Sequence, residues 1–410
     1  MRFTLVLAAA LSAATGAAAQ PAGKLLLDSR LRYEAVEQAG FAREAEALTW
    51  RNRIGFETAE KHGLRGLIEV EDVRRLGLEH HNITIASGAS VNGRTQYPAI
   101  SDPETTELNR AQISWKANDH LAMTLGRQRV VIDDQRFVGS TTWRQDDVSY
   151  DGFKADVTMG KVTGVYAYLA HVNRSQGTKA DVDLDTHAFN LGYAFSNAAK
   201  LQAFAYLEDF SNAPVSSNQT YGAKLSGRAK LDETTLAYNA TFANQTDYRG
   251  NTAPFDLNYY GGDLTVAHGI WAGRVSYEVL EGDGARGFIT PLASNHGYQG
   301  WADAFSAVGG AKTFVDGIED LNFQVGLKPR FKSALVSNPV FMARYHDFDA
   351  VRTGADIAHE WNAEAGFAIT PKLNFSFQYA DFQTSLVRLP GTAAPPASRT
   401  KYFVILEYKL

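Results

Sequence analysis

Arginine recurs at alternate positions early in this 410-residue chain. Arg30 and Arg32 form one such pair and Arg51 and Arg53 another, with Arg65 and Arg110 further on. A spacing of two puts side chains on one face of a strand. Guanidinium groups keep their charge and grip carboxylates bidentately, so these residues offer anion recognition. The same parity also carries Glu34, Glu57, Glu69 and Glu71, and arginine could equally brace a wall by pairing with them; the two roles can coexist. A second concentration of charge lies between residues 131 and 149, opening Asp133-Asp134-Gln135-Arg136-Phe137 and closing Trp143-Arg144-Gln145-Asp146-Asp147.

Covalent chemistry has little to work with. His80 and His81 stand near Asn82, Ser87 and Ser90, but no G-x-S-x-G elbow accompanies them, so an outer-membrane hydrolase is only an alternative of another class. Asp181, Asp183 and Asp185 have the early spacing of a calcium loop, yet Thr186 replaces the required glycine and Gly192 the bidentate glutamate. A solvated rim is the plainer reading. The chain has no cysteine. We expect no catalytic residue, no metal, no cofactor and no nucleic-acid partner, and the net charge of -5 excludes neither anionic nor cationic solutes.

The elements that must position these residues are strands. Segments of about ten residues alternate apolar and polar side chains, the signature of a transmembrane β-barrel. From Thr400 to Leu410 one parity reads Tyr402, Val404, Leu406, Tyr408 and Leu410, and the other carries Lys401, Glu407 and Lys409. The pattern predicts strands near 28–37, 47–58, 64–74, 107–116, 120–130, 150–158, 161–172, 186–195, 200–209, 219–227, 231–244, 258–268, 270–280, 320–331, 339–349, 359–369, 372–381 and 400–410. The expectation is an all-β fold: a single transmembrane antiparallel barrel of about 18 strands, with extracellular loops folded inward. Short connections alternate with long ones, notably 75–106, 131–149, 281–319 and 382–399, which puts both termini in the periplasm. A lumen that wide must be narrowed by something. The 131–149 loop is the first candidate, and 281–319, with Gly309 and Gly310 among its glycines, could be a second lid.

Arg2, an apolar run from Phe3 to Leu11 and Ala17-Ala18-Ala19 make a secretory signal peptide over 1–19, leaving 20–410 as the barrel. The mean hydropathy of -0.25 is too polar for a helical membrane protein. The expected location is the outer membrane of a Gram-negative bacterium, among its lipid and lipopolysaccharide, reached with the barrel-assembly machinery. A plugged, energy-coupled transporter is not expected, because no plug domain precedes the first strand.

Thr124-Leu125-Gly126-Arg127-Gln128, followed by Asp134-Gln135-Arg136-Phe137-Val138-Gly139 and Trp143-Arg144-Gln145, resembles the alginate export family of outer-membrane barrels. The resemblance implies passive passage of an anionic oligo- or polysaccharide, and it carries over to Arg127, Gln128, Asp134 and Arg136 alone. Two features depart from an exporter: every presumed periplasmic turn is short, and carboxylates are mixed among the interior arginines. A general porin, or one taking up small organic anions, is the alternative.

Overall fold

A computed structural model describes residues 22–84, 89–306, 312–330, 336–385 and 393–410. The expected signal peptide, Ser87, Gly309 and Gly310 fall outside them. The strands are β1 (Gly23–Gln38), β2 (Ala45–Thr58), β3 (Leu64–His80), β4 (Thr105–Lys116), β5 (Leu121–Gln128), β6 (Ser149–Met159), β7 (Val162–Asn173), β8 (Val182–Ser196), β9 (Ala199–Glu208), β10 (Asn218–Leu231), β11 (Thr234–Asp247), β12 (Asp256–His268), β13 (Trp271–Leu280), β14 (Ile318–Leu327), β15 (Ser337–Asp349), β16 (Asp356–Thr370), β17 (Leu373–Thr384) and β18 (Arg399–Lys409). They form one 18-stranded sheet in which each strand pairs antiparallel with its sequence neighbours. β1 closes on β18 from Asp28 opposite Lys409 to Gln38 opposite Arg399. Closure leaves no edge strand to expose unpaired backbone to lipid.

Parity decides which side chains meet lipid. Ile113, Leu125 and Leu191 are each more than 60% exposed, while the alternate residues of the terminal strand, Lys401, Phe403 and Ile405, are buried in the interior. Several boundaries differ from expectation, among them the starts of β1 at Gly23 and β8 at Val182 and the ends of β10 at Leu231 and β14 at Leu327, and two of the differences have a visible cause. β3 continues past residue 74 to His80, because its pairing with β2 resumes beyond an irregularity, with Arg75 opposite Thr49 and His80 opposite Glu46. β5 stops at Gln128, short of residue 130, just beyond Gly126. There the backbone has φ +113, and a Cβ would lie 2.3 Å from the Ala111 carbonyl oxygen, so only glycine fits.

The long connections turn inward. Val130, Ile132, Phe137 and Val138 pack with Phe288 and Leu292 against Tyr150, Leu169, Phe204, Tyr206 and Tyr259. Trp301, Phe305 and Phe314 pack against Phe348 and Phe382, and Tyr97 and Ile100 against Val36 and Ala47. The hydrophobic cores therefore sit inside the barrel, between loops and wall, while the outer apolar surface is left to lipid.

This division predicts opposite responses to one added charge. In vesicles, Leu125→Arg should cost about 2–4 kcal/mol in a denaturant titration, as a cation on the lipid face does. Gln112→Arg, on the interior parity, should stay within about 1 kcal/mol. Equal costs would reverse the assignment of faces.

Candidate functional site

The segment between β5 and β6 crosses the lumen, held at both ends by charge. On one side, Lys224 of β10 donates to Asp133 at 2.9 Å and to Asp134 at 2.5 Å. Arg136 reaches Glu278 of β13 at 2.5 Å and Thr290 at 3.1 Å, with its guanidinium 4.5 Å from the Tyr298 ring centroid and 5.5 Å from that of Tyr259. On the far side, Arg30 and Arg32 of β1 donate to the Trp143 carbonyl at 3.1 and 2.8 Å. Arg144 meets Glu34 at 2.8 Å, the Gln145 amide donates to the Thr49 hydroxyl at 2.9 Å, and the Asp147 N–H to Glu71 at 2.9 Å.

The connection between β13 and β14 meets this segment in mid-lumen. The Trp143 ring stacks on His296 at 4.0 Å, the Tyr298 hydroxyl donates to the Asp134 carbonyl at 2.8 Å, and the Gly139 N–H to that of Leu292 at 2.9 Å. Asp303 gathers Lys401 at 3.1 Å, Lys312 at 3.3 Å and Arg144 at 3.6 Å. Burial alone would raise its carboxyl, but Lys401, Lys312 and His296 hold it well below the usual range. Burial drives the His296 imidazole down to about 3, against the upward pull of Asp303, so the ring stacked on Trp143 is neutral at physiological pH.

The early arginines do come together, and they brace. Arg32 pairs with Glu34 at 3.0 Å, Arg51 with Asp28, Arg53 with Glu71 and with Asp147 of the loop, and Arg110 with Glu69 at 2.6 Å. Arg30 bonds Glu407 at 2.7 Å. Arg65 sits exposed near the short-turn end with Glu57 and Glu60.

Two residues of the motif differ from what the resemblance implied. Arg127 shares the outward parity of Leu125, opposite Ala111 and Asp151, and pairs with Asp151 at 2.7 Å; it is not in the lumen. Arg136, which the resemblance offers to the solute, is 2% exposed, and as a buried guanidinium it takes Glu278 as its carboxylate. Gln128 is buried, its amide donating to the carbonyls of Thr124, Gly126 and Gly152. Of Arg127, Gln128, Asp134 and Arg136, Asp134 is the one that lines the cavity against the β10–β15 wall.

That space is a cavity of about 380 Å³ between the loops and the β10–β15 wall, lined by Asp134, Lys224, Asp263, Arg274, Glu278 and Arg344 among others. A second, also about 380 Å³, runs beside Arg30, Trp143, Glu364 and Glu407. Lys224, Arg274 and Arg344 were not singled out from sequence, although inward parity on the later strands marks them as it marks the early arginines.

The hydrolase constellation does not assemble among the described residues. His81 Nδ1 lies 3.2 Å from the Glu46 carbonyl, His80 stacks on Tyr97, and the Ser90 hydroxyl donates to Asn82 at 2.6 Å. The rim aspartates are dispersed too: Asp183 meets His171 at 2.8 Å, Asp185 meets Arg249, and Asp181 accepts the Arg174 N–H at 2.8 Å.

Residues 27–279 match the model of the alginate export family. No curated protein matches the sequence. Among solved structures, Pseudomonas aeruginosa OpdO superposes with a TM-score of 0.69 at 14% identity, over 95% of this chain and 97% of its own. Acinetobacter baumannii OccAB4 superposes with 0.68 at 13% identity, over 94% and 97%. The P. aeruginosa OpdK structure with vanillate gives 0.68 at 12% identity, over 94% and 98%.

If Arg136 anchors the loop, Arg136→Ala and Glu278→Ala should both loosen it. Each should raise open-channel current noise and destabilise the fold by about 3–5 kcal/mol, the cost of leaving one member of a buried pair alone. Quiet channels with altered ion selectivity in Arg136→Ala alone would make it a filter instead.

Proposed function

The chain belongs to the alginate export family, and from that membership we propose that this outer-membrane channel conducts anionic solutes passively, with acidic saccharides as the class the family points to. Residues 1–19 would be the export signal and 20–410 the inserted barrel, with the short turns and both termini in the periplasm.

Arg344 carries the reading. Around the cavity against the β10–β15 wall each carboxylate has its own partner: Asp134 has Lys224, Asp263 has Arg274 at 2.9 Å, Glu278 has Arg136, and Asp320 has His346 at 2.8 Å. The Arg344 guanidinium donates to the neutral Gln324 side chain, and no carboxylate pairs with it among the described residues. One cation is left over at the constriction, where low-dielectric walls focus its field on a passing solute. A carboxylate can take the fork in place of Gln324.

Cavity size favours a second reading, uptake of small organic acids. Spaces of about 380 Å³ suit single rings or short oligomers better than a moving polymer, and a structure with the same fold holds vanillate, an aromatic carboxylate.

Planar-bilayer recordings test both. The unmodified channel should favour anions in reversal potential, and Arg344→Gln should weaken both that preference and solute block by about tenfold, near the 1.4 kcal/mol of one charge-assisted bond. Block by di- and trigalacturonate or oligomannuronates supports acidic saccharides, and block by benzoates alone supports the organic-acid reading. An unchanged Arg344→Gln channel removes the main support for either.

A further inference from the structure

Two carboxylates on the inner wall, Glu71 of β3 and Glu107 of β4, lie side by side as partners in the ladder. Glu71 is engaged, accepting from Arg53 and from the Asp147 N–H. No ion pair reaches Glu107 among the described residues. Into this pair the 131–149 segment inserts Asp146. Its side chain is completely buried, and among the described residues no N–H or hydroxyl donates to either carboxylate oxygen, whose hydrogen-bond contacts are the Glu107 and Glu71 carboxylates themselves. One oxygen from each of the three carboxylates falls within 4.8 Å of the others.

Nearby positive charge is already committed. Arg53 serves Glu71, Asp147 and Asp28. Arg129 serves Asp147 and Glu69, and Arg110 serves Glu69. Burying a carboxylate against two others without a counter-charge is strongly unfavourable. Either protons or a cation must balance the seam.

We propose that Glu71, Glu107 and Asp146 form a calcium site that clamps the 131–149 segment to the β3–β4 wall. Three hard oxygen donors and no nitrogen or sulfur ligand select a cation of the calcium or magnesium kind. Oxygens sharing one Ca²⁺ at about 2.3–2.6 Å lie no further apart than roughly twice that length, a limit the cluster meets; Mg²⁺ keeps its waters, so it fits the dry seam less well. The site differs from the rim aspartates Asp181, Asp183 and Asp185, whose partners are basic side chains or a backbone N–H. It stands apart from solute passage, since its evidence is a cation bound and not a current.

Equilibrium dialysis of the folded full-length barrel in detergent against Ca²⁺ provides the test, with folding of every variant confirmed by its heat-modifiable migration. The wild-type chain should retain about one Ca²⁺ more than Asp146→Asn or Glu107→Gln, each of which should weaken this binding at least about tenfold by lowering the ligand charge. Asp183→Asn, at the rim, should bind as wild type. Acidification should release the ion, because protons compete for the same oxygens. Should both seam variants misfold, the wild-type measurement decides: one acid-released Ca²⁺ that excess Mg²⁺ does not displace supports the site, and none overturns it. Equal binding by the wild type and both seam variants also overturns it, as does full displacement by Mg²⁺.

Discussion

A barrel of this width has to fill its own middle, and it does so with charged chain held by opposite charge. Side chains from the wall cannot span the lumen, so the segment between β5 and β6 is laid across it. Its acidic start is caught by Lys224, its arginines by Glu278 and Glu34, and its last aspartate by Arg53 and Arg129. A buried ion pair adds little net stability over an apolar equivalent, but removing one partner is costly. Such pairs therefore specify one position for the loop more effectively than they raise its stability.

The apolar contacts complete what the charges begin. Phe137 follows Arg136 in sequence and meets Tyr259 edge-on at 5.3 Å, so the same short stretch delivers an ion pair and an aromatic anchor to neighbouring points of the wall. Across the lumen, Trp143 serves twice, its carbonyl accepting from Arg30 and Arg32 while its ring stacks on His296. The second inward connection thus rests on the first. Loosening the segment at Arg136 would be felt at Trp301 and Asp303, with which Arg136 shares no hydrogen bond, ion pair or ring contact among the described residues.

The barrel was legible in the sequence because a strand's parity is a local property: Ile113, Leu125 and Val404 declare the lipid face within a few residues of themselves. The inner lattice was legible only where it too is local. Glu34, Glu57, Glu69 and Glu71 share parity with the arginines, and four of the expected pairings exist: Arg32 with Glu34, Arg65 with Glu57, Arg110 with Glu69 and Arg53 with Glu71. The partner of Arg136 stands 142 positions away, and no pattern of spacing connects a loop arginine to one glutamate on β13. Arg127 shows the opposite failure. Its parity with Leu121 and Leu125 already placed it on the outer face, and the motif drew attention away from that.

The lattice that positions the constriction also limits what can act there. A guanidinium bonded to a buried carboxylate and to a loop carbonyl has little field left for a passing solute, so most arginines of the early strands, though they face inward, are consumed as structure. On the proposed reading, selectivity depends on the remainder after pairing, which is small and local: the Arg344 fork at the cavity against the β10–β15 wall, beside Lys224 and Arg274, whose charges are already shared with aspartates. An interior of mixed sign is consistent with anion preference on this account, because the carboxylates that appear to oppose it are those holding the loops in place. Counting arginines along inward-facing strands overstates the charge a solute meets, and subtracting the pairs reduces it to a few atoms on one wall.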